Sequence, residues 1–352
     1  MALRWGASGH RSIVAPLAAT LAATVAVGIG VAAVARAERE RRAARERLSK
    51  RRRRFGLLAE ESAAQGLRRI VLAQLDLAIE LLRGEAATPP EQAVHETRKA
   101  IKRLRALMRL LEGEIGVKQA ARERRVLSDV ADRLAGARDA EAMVDTLEDL
   151  IARHPRKLGR RRGAIALREH LRAERRAATA RAREDAGARE QAARELSALR
   201  ARVVGWQLRE RQAARKLIEP GLTHIYRAGR DRRKLAAKRH PARRALHKWR
   251  KQVKDLRYAL EAIDLQGRSQ ERLAKLARRA DGLGEMLGQE HDLMVLGELI
   301  AAHRPLRRHR RARRQLLRAI SRRRARLRKR ALREGARLYE RPPKRFVARL
   351  RS

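Results

Sequence analysis

The chain has 352 residues, with 89 Lys+Arg against 40 Asp+Glu and a formal net charge of +49. Zero cysteines exclude disulfide staples, thiolate metal sites and cysteine nucleophiles, and 2% aromatic residues leave few rings for stacking bases or building sheets. With 44% hydrophobic residues, abundant Ala, Leu, Arg and Glu, and 9 Pro and 22 Gly as punctuation, the composition predicts a folded, basic, all-α protein.

Residues 1–12 form a short leader. Residues 13–35 carry no charge, and 23 positions are enough to span a bilayer as a helix, although nine are alanine, which adds little to transfer into lipid. Residues 36–54 follow with 11 basic and 3 acidic side chains, against Arg4 and Arg11 ahead of the apolar run. The positive-inside rule keeps that basic side cytoplasmic, so we expect a transmembrane helix at 13–35 that tethers the body to the cytoplasmic face of a membrane. Two other readings stay open: a signal peptide ending at Ala35-Arg36-Ala37, or a helix that does not span, in a cytoplasmic protein. The 36–54 segment reads as a solvated juxtamembrane stalk, or as a strip whose arginines touch anionic lipid headgroups.

From Phe55 onward helical apolar periodicity is nearly continuous. Expected breaks fall at Gly84 to Pro90, Gly113 to Gly116, His154 to Gly163, Pro220-Gly221, His240-Pro241, Gly267 and Pro305. The body also repeats itself. Val94-His95-Glu96-Thr97-Arg98-Lys99-Ala100-Ile101-Lys102-Arg103-Leu104-Arg105 is echoed 152 residues later by Leu246-His247-Lys248-Trp249-Arg250-Lys251-Gln252-Val253-Lys254-Asp255-Leu256-Arg257. A second echo, Leu134 to Asp139 against Leu287 to Asp292, keeps the spacing within one residue. The expected organisation is a tandem of two halves, 56–205 and 206–352.

Set on a helix, His95, Arg98, Lys99, Lys102 and Arg105 share one side, with Arg103 and Arg109 near them, and Val94, Ile101, Leu104, Met108 and Leu111 form an apolar stripe on the other. His247, Arg250, Lys251, Lys254 and Arg257 repeat the ridge, and Leu246, Val253, Leu256 and Leu260 repeat the stripe. Solvated charged faces usually mix signs, because like charges at i, i+3 and i+4 repel. These ridges carry almost no acid and the same histidine twice, so an anion is the missing partner. Phosphate suits, since Arg forks bidentately and Lys supplies a point charge.

The paired H-x-x-R-K-x-x-K-x-L-R motifs, the Gly221-Leu222 to Tyr226-Arg227-x-x-Arg230 segment, the Arg138-Asp139 and His291-Asp292 pairs taken as helix starts, and the closing Gly335 to Arg349 stretch resemble the CHAD domain, the conserved histidine α-helical domain. The resemblance covers about residues 57–350, which assigns 55–352 to one CHAD domain. It implies two pseudo-symmetric four-helix-bundle halves around a basic groove that binds inorganic polyphosphate, and an association with polyphosphate granules. Carried over by position, His95, Arg98, Lys99, Lys102 and Arg105 would line one side of the groove, and His247, Arg250, Lys251, Lys254 and Arg257 the other. Tyr226, Arg227 and Arg230 would contribute, with Arg103, Arg109, Arg138 and His291 as secondary candidates. Two positions depart from symmetry: Arg103 is matched by Asp255, and Arg138 by His291.

Catalytic signatures are scarce. His95-Glu96-Thr97-Arg98 begins like a zinc-protease motif but ends in Arg, and no Walker-type GxxxxGK occurs. The triphosphate tunnel domain fused to some CHAD proteins needs an ExExK strand, and Glu38-Arg39-Glu40-Arg41-Arg42 is the nearest string. Asp139, Glu141, Asp292 and Glu298 read as helix caps rather than metal ligands. We therefore expect a non-catalytic polyphosphate binder without cofactor or metal. The rivals are a general polyanion binder that takes nucleic acid non-specifically, and a structural scaffold on anionic lipid. Arg304 to Arg351 holds 22 basic and 2 acidic residues, a surface that attracts any polyanion at low salt. Leu316, Leu317, Ile320, Leu327, Leu332 and Leu338 within it predict a long packed helix.

Overall fold

The computed structural model describes residues 55–350 apart from 59–60, 87, 210–213, 240–243 and 264–267. The leader, the uncharged 13–35 run, the 36–54 stalk and the expected breaks at His240-Pro241 and Gly267 lie outside the described residues. Among the described residues there is no strand, and no helix long and apolar enough to cross a membrane.

Local chemistry sets the first helices. α1 (Ala63–Arg83) opens on a capping box: Ser62 Oγ accepts from the Gln65 N–H at 3.2 Å, and Gln65 Oε1 accepts from the Ser62 N–H at 3.2 Å. It closes on Gly84 at φ 77°, a left-handed conformation that suits glycine. α2 (Pro90–Leu110) begins on a proline, whose missing N–H costs nothing in a first turn. Its stripe of Val94, Ile101, Leu104 and Met108 is buried, as is Leu111 just beyond its end.

A single-turn α3 (Glu112–Ile115) leads to α4 (Val117–Arg133) and α5 (Gly136–Ala152), and a π-turn at Pro155–Gly159 leads on to α6 (Arg162–Glu184). α7 (Ala186–Val204) starts where Asp185 accepts from the Ala188 N–H at 2.8 Å, a break that periodicity did not announce. α8 (Ala214–Ala237), α9 (Ala245–Ala262) and α10 (Arg268–Ala302) follow. A 3-10 turn at Arg304–Arg307 then leads to α11 (Arg310–Leu338) and the short α12 (Pro343–Ala348).

α9 buries Leu246, Trp249, Val253, Leu256 and Leu260, and it packs directly on α2, so the two copies of the duplicated segment meet. Two apolar cores result. The larger joins α1, α2, α4, α7, α8 and α9 with the first half of α10 and the end of α11. In the second, Val144, Leu147 and Leu150 of α5 and Leu167 and Leu171 of α6 meet Leu293, Leu296 and Ile300 of α10 and Leu316 and Ile320 of α11. The 35 residues of α10, about 52 Å of helix, run through both cores.

Two expectations are corrected. Pro220-Gly221 does not break the chain but lies inside α8. Pro220 is exposed, so the Lys216 carbonyl it leaves without a helix donor can be solvated. Gly221 is there for packing, because a Cβ would overlap the Leu110 carbonyl at the end of α2. The second correction concerns His291-Asp292, which falls in the middle of α10 rather than at a helix start.

Candidate anion-binding site

The apolar stripes of α2 and α9 fix which flanks remain for the cationic ridges. Where the helices pack, the equivalent lysines Lys102 and Lys254 come within electrostatic reach of each other. Lys254 is half-buried, and its ammonium pKa is pushed down to about 7, first by burial, then by Arg250, Lys102 and Arg257, with Asp281 opposing. Lys251 is lowered by burial and then by Arg105, and burial lowers Arg105 in spite of Asp255. Arg105, Arg250, Lys251 and Lys254 form no ion pair among the described residues, and Arg250 Nε is buried with no hydrogen-bond partner. Such a cluster of charge is costly without an anion.

Behind Arg250 the rings of His247 and His291 lie 4.3 Å apart, tilted by 38°. Burial, followed by His291, Lys251 and Arg250, lowers His247 to about 4. Burial and Arg250 lower His291. Both imidazoles are therefore neutral at pH 7, and both Nδ1 atoms are buried without a hydrogen-bond partner among the described residues. α10 makes room for Arg250 with a glycine. A Cβ at Gly288 would stand 3.1 Å from an Arg250 guanidinium nitrogen, tighter than ordinary contact, whereas one at Gly284 would meet Lys254 Cγ at an ordinary 3.8 Å.

Other members of the predicted set hold the scaffold together. Arg98 donates to Ala135 O at 2.8 Å and Leu134 O at 3.4 Å, satisfying carbonyls at the end of α4, and pairs with Asp139 at 3.3 Å. Arg109 Nε lies 3.0 Å from Asp255, whose carboxyl burial pushes upward against the pull of Arg109 and Arg105. Asp255 is thus an interhelix tie rather than a weak point in the ridge. Arg257 pairs with Glu261 at 2.6 Å and with Asp281 of α10, and with Lys99 and Arg103 it lines a cavity of about 520 Å³. Arg103 is buried, lying 4.5 Å over the Phe55 ring and 3.3 Å from Gln74 Oε1.

Tyr226 stands apart from the ridges. It is fully buried, stacked on Phe346 at 3.9 Å, and its hydroxyl donates toward the Leu338 and Arg341 carbonyls at 3.2 Å. Its work is to seat α12 against α8. Arg227 is exposed and Arg230 half-buried on the same helix, Arg230 acting on the Tyr226 hydroxyl. His95 is half-buried and Lys102 exposed on α2, while the Arg138 side chain lies outside those described. Sequence reasoning missed Gly288 and Asp281. The signal for the glycine was available, since a glycine inside a helix rich in Ala and Leu costs about 1 kcal/mol and asks for a reason.

Comparison with known proteins decides the family. The CHAD-domain family model matches residues 69–301, well over half of the chain. The chain belongs to the CHAD family. Among solved structures it is similar to the CHAD domain from the plant Ricinus communis, with 21% identity over 74% of this chain and 88% of that one and a TM-score of 0.54. It is also similar to PptA from Streptomyces chartreusis, with 17% identity over 80% of this chain and all of that one and a TM-score of 0.54. At such identities these likenesses establish a shared fold. No curated protein sequence matches. The matched CHAD span contains both ridges and the α10 glycines, and α11 lies beyond it.

Proposed function

We propose that this CHAD protein binds inorganic polyphosphate through the cations that α2 and α9 bring together, and that it does so without catalysis. One observation carries the reading: Lys254 is half-buried among Arg250, Lys102 and Arg257 and has no ion pair among the described residues. A chain of phosphates would supply the missing charge, with Arg250 and Arg105 forking its oxygens, Lys102, Lys251 and Lys254 acting as point charges, and the neutral His247 and His291 offering N–H donors. Non-catalytic action is supported by the composition of the cluster, in which the converging groups are donors and Asp139, Asp255 and Asp281 are taken up by arginines. The domain spans 55–352 in this reading, in two tandem halves whose motif spacing makes Lys102 and Lys254 equivalents. The uncharged 13–35 run would hold it at the cytoplasmic face of a membrane, near polyphosphate granules, and membrane fractionation with and without residues 1–54 tests that placement.

The binding test is a competition titration at about 0.15 M salt, where charges farther apart than ~8 Å are largely screened. Labelled long-chain polyphosphate should be displaced by unlabelled polyphosphate far better than by duplex DNA or RNA, and an Arg250→Ala/Lys254→Ala variant should bind at least about tenfold more weakly, the loss expected from one charge-assisted contact. Equal competition per charge by all polyanions, with the variant unchanged, would return the ridges to the status of solvated faces.

A further inference from the structure

A second cationic concavity lies away from the α2–α9 contact, between the π-turn that joins α5 to α6 and the first five turns of α11. It encloses about 830 Å³ and is lined by Lys157, Arg161, Arg311, Arg318, Arg322 and Arg326, with no carboxylate among its lining residues. None of these six cations is hydrogen-bonded or ion-paired among the described residues. The other flank of α11 is treated differently. Arg323 reaches Asp149 at 2.9 Å, Arg324 reaches Glu290 at 2.8 Å, and Arg313 and Arg328 donate to backbone carbonyls. One helix thus has a compensated flank and an uncompensated one. No acid occupies its first turn and no side chain caps its N-terminus, so the dipole adds to the same positive potential.

We infer that this concavity is a second binding track for a linear, phosphate-bearing polyanion. From Arg311 to Arg326 the helix rises about 22 Å, which presents guanidinium groups at intervals along one line. The cations line a concavity between two elements, and a thin flexible chain can follow it more closely than a flat lipid surface can. His154 is the one aromatic ring among the lining residues, so the concavity lacks the stacking platforms that hold single-stranded nucleic acid. The inference rests on the polyphosphate reading of the first site and extends it. A long chain could engage both sites at once, and the second engagement would be intramolecular, so affinity would grow with chain length beyond what either site gives alone.

The experiment compares tripolyphosphate, long-chain polyphosphate and duplex DNA on the full chain at about 0.15 M salt. The proteins are wild type, an Arg311→Gln/Arg318→Gln/Arg322→Gln/Arg326→Gln variant, a Lys157→Gln/Arg161→Gln variant on the opposite wall, and the first-site Arg250→Ala/Lys254→Ala variant. Glutamine keeps helix propensity, and circular dichroism with thermal melting checks the fold. The expected result is unchanged tripolyphosphate binding and a loss of long-chain affinity of at least about tenfold in both glutamine variants. Long-chain affinity equal to wild type in both glutamine variants would overturn the inference, as would a loss confined to duplex DNA. The first-site reading fails separately, if Arg250→Ala/Lys254→Ala leaves tripolyphosphate binding intact.

Discussion

Lys254 sits where two ridges of like charge meet, and its lowered pKa carries a sign that can be measured. Below pH 7 the folded and unfolded chains both hold the proton, and the folded state bears the full cost of a half-buried ammonium. Between about 7 and its ordinary 10.5 the folded state releases that proton while the unfolded chain keeps it, so stability rises with pH across this window. A bound polyanion reverses the preference. Binding near pH 8 should therefore take up protons, which calorimetry in buffers of different ionisation enthalpy will detect, and Lys254→Met should abolish most of the uptake. The same substitution removes an uncompensated charge, so the ligand-free variant should melt about 2–4 °C higher while binding polyphosphate more weakly. A lower melting point would show that the ammonium has a stabilising partner. For His247 the corresponding window is pH 4 to 6.5, and stability should fall as pH drops through it.

Helices were the legible part of this sequence, and their partners were not. Capping at Ser62, the proline start of α2 and the buried stripes of α2 and α9 follow from local spacing. Pro220 misled because a proline reads as a stop, whereas its exposed position in α8 lets the helix continue. The ridge was legible too, but periodicity cannot say which cations meet distant acids. Arg98, Arg109 and Arg257 are taken by Asp139, Asp255 and Asp281, while Arg105, Arg250 and Lys254 are left. Two glycines test the packing at this level. Gly221→Ala drives a Cβ into the Leu110 backbone, which cannot yield like a side chain, and should cost about 1–3 kcal/mol in urea unfolding. Gly288→Ala improves helix propensity by about 1 kcal/mol but crowds the Arg250 guanidinium. That variant should be at least as stable as wild type and bind polyphosphate several-fold more weakly; undiminished binding would remove Arg250 from the site.

At the scale of the molecule, a net charge of +49 works against compactness. Added salt should raise the melting temperature by screening, and long-chain polyphosphate should raise it further by binding only the folded form. At a free concentration of 100 times Kd, one site contributes about 2.7 kcal/mol. A polyphosphate that protected no better than its ionic strength would speak against a folded-state site. The second core has a consequence of a different kind, concerning the order in which the chain is made. Leu167 and Leu171 of α6 are covered by Leu316 and Ile320 of α11, roughly 150 residues later. At a synthesis rate of about 5–20 residues per second, α5 and α6 wait about 7–30 s at the ribosome with the faces they turn to α10 and α11 uncovered. Chaperones should engage the nascent hairpin during that interval, and a stalled or truncated message that ends before α10 should yield an aggregating fragment rather than a folded half.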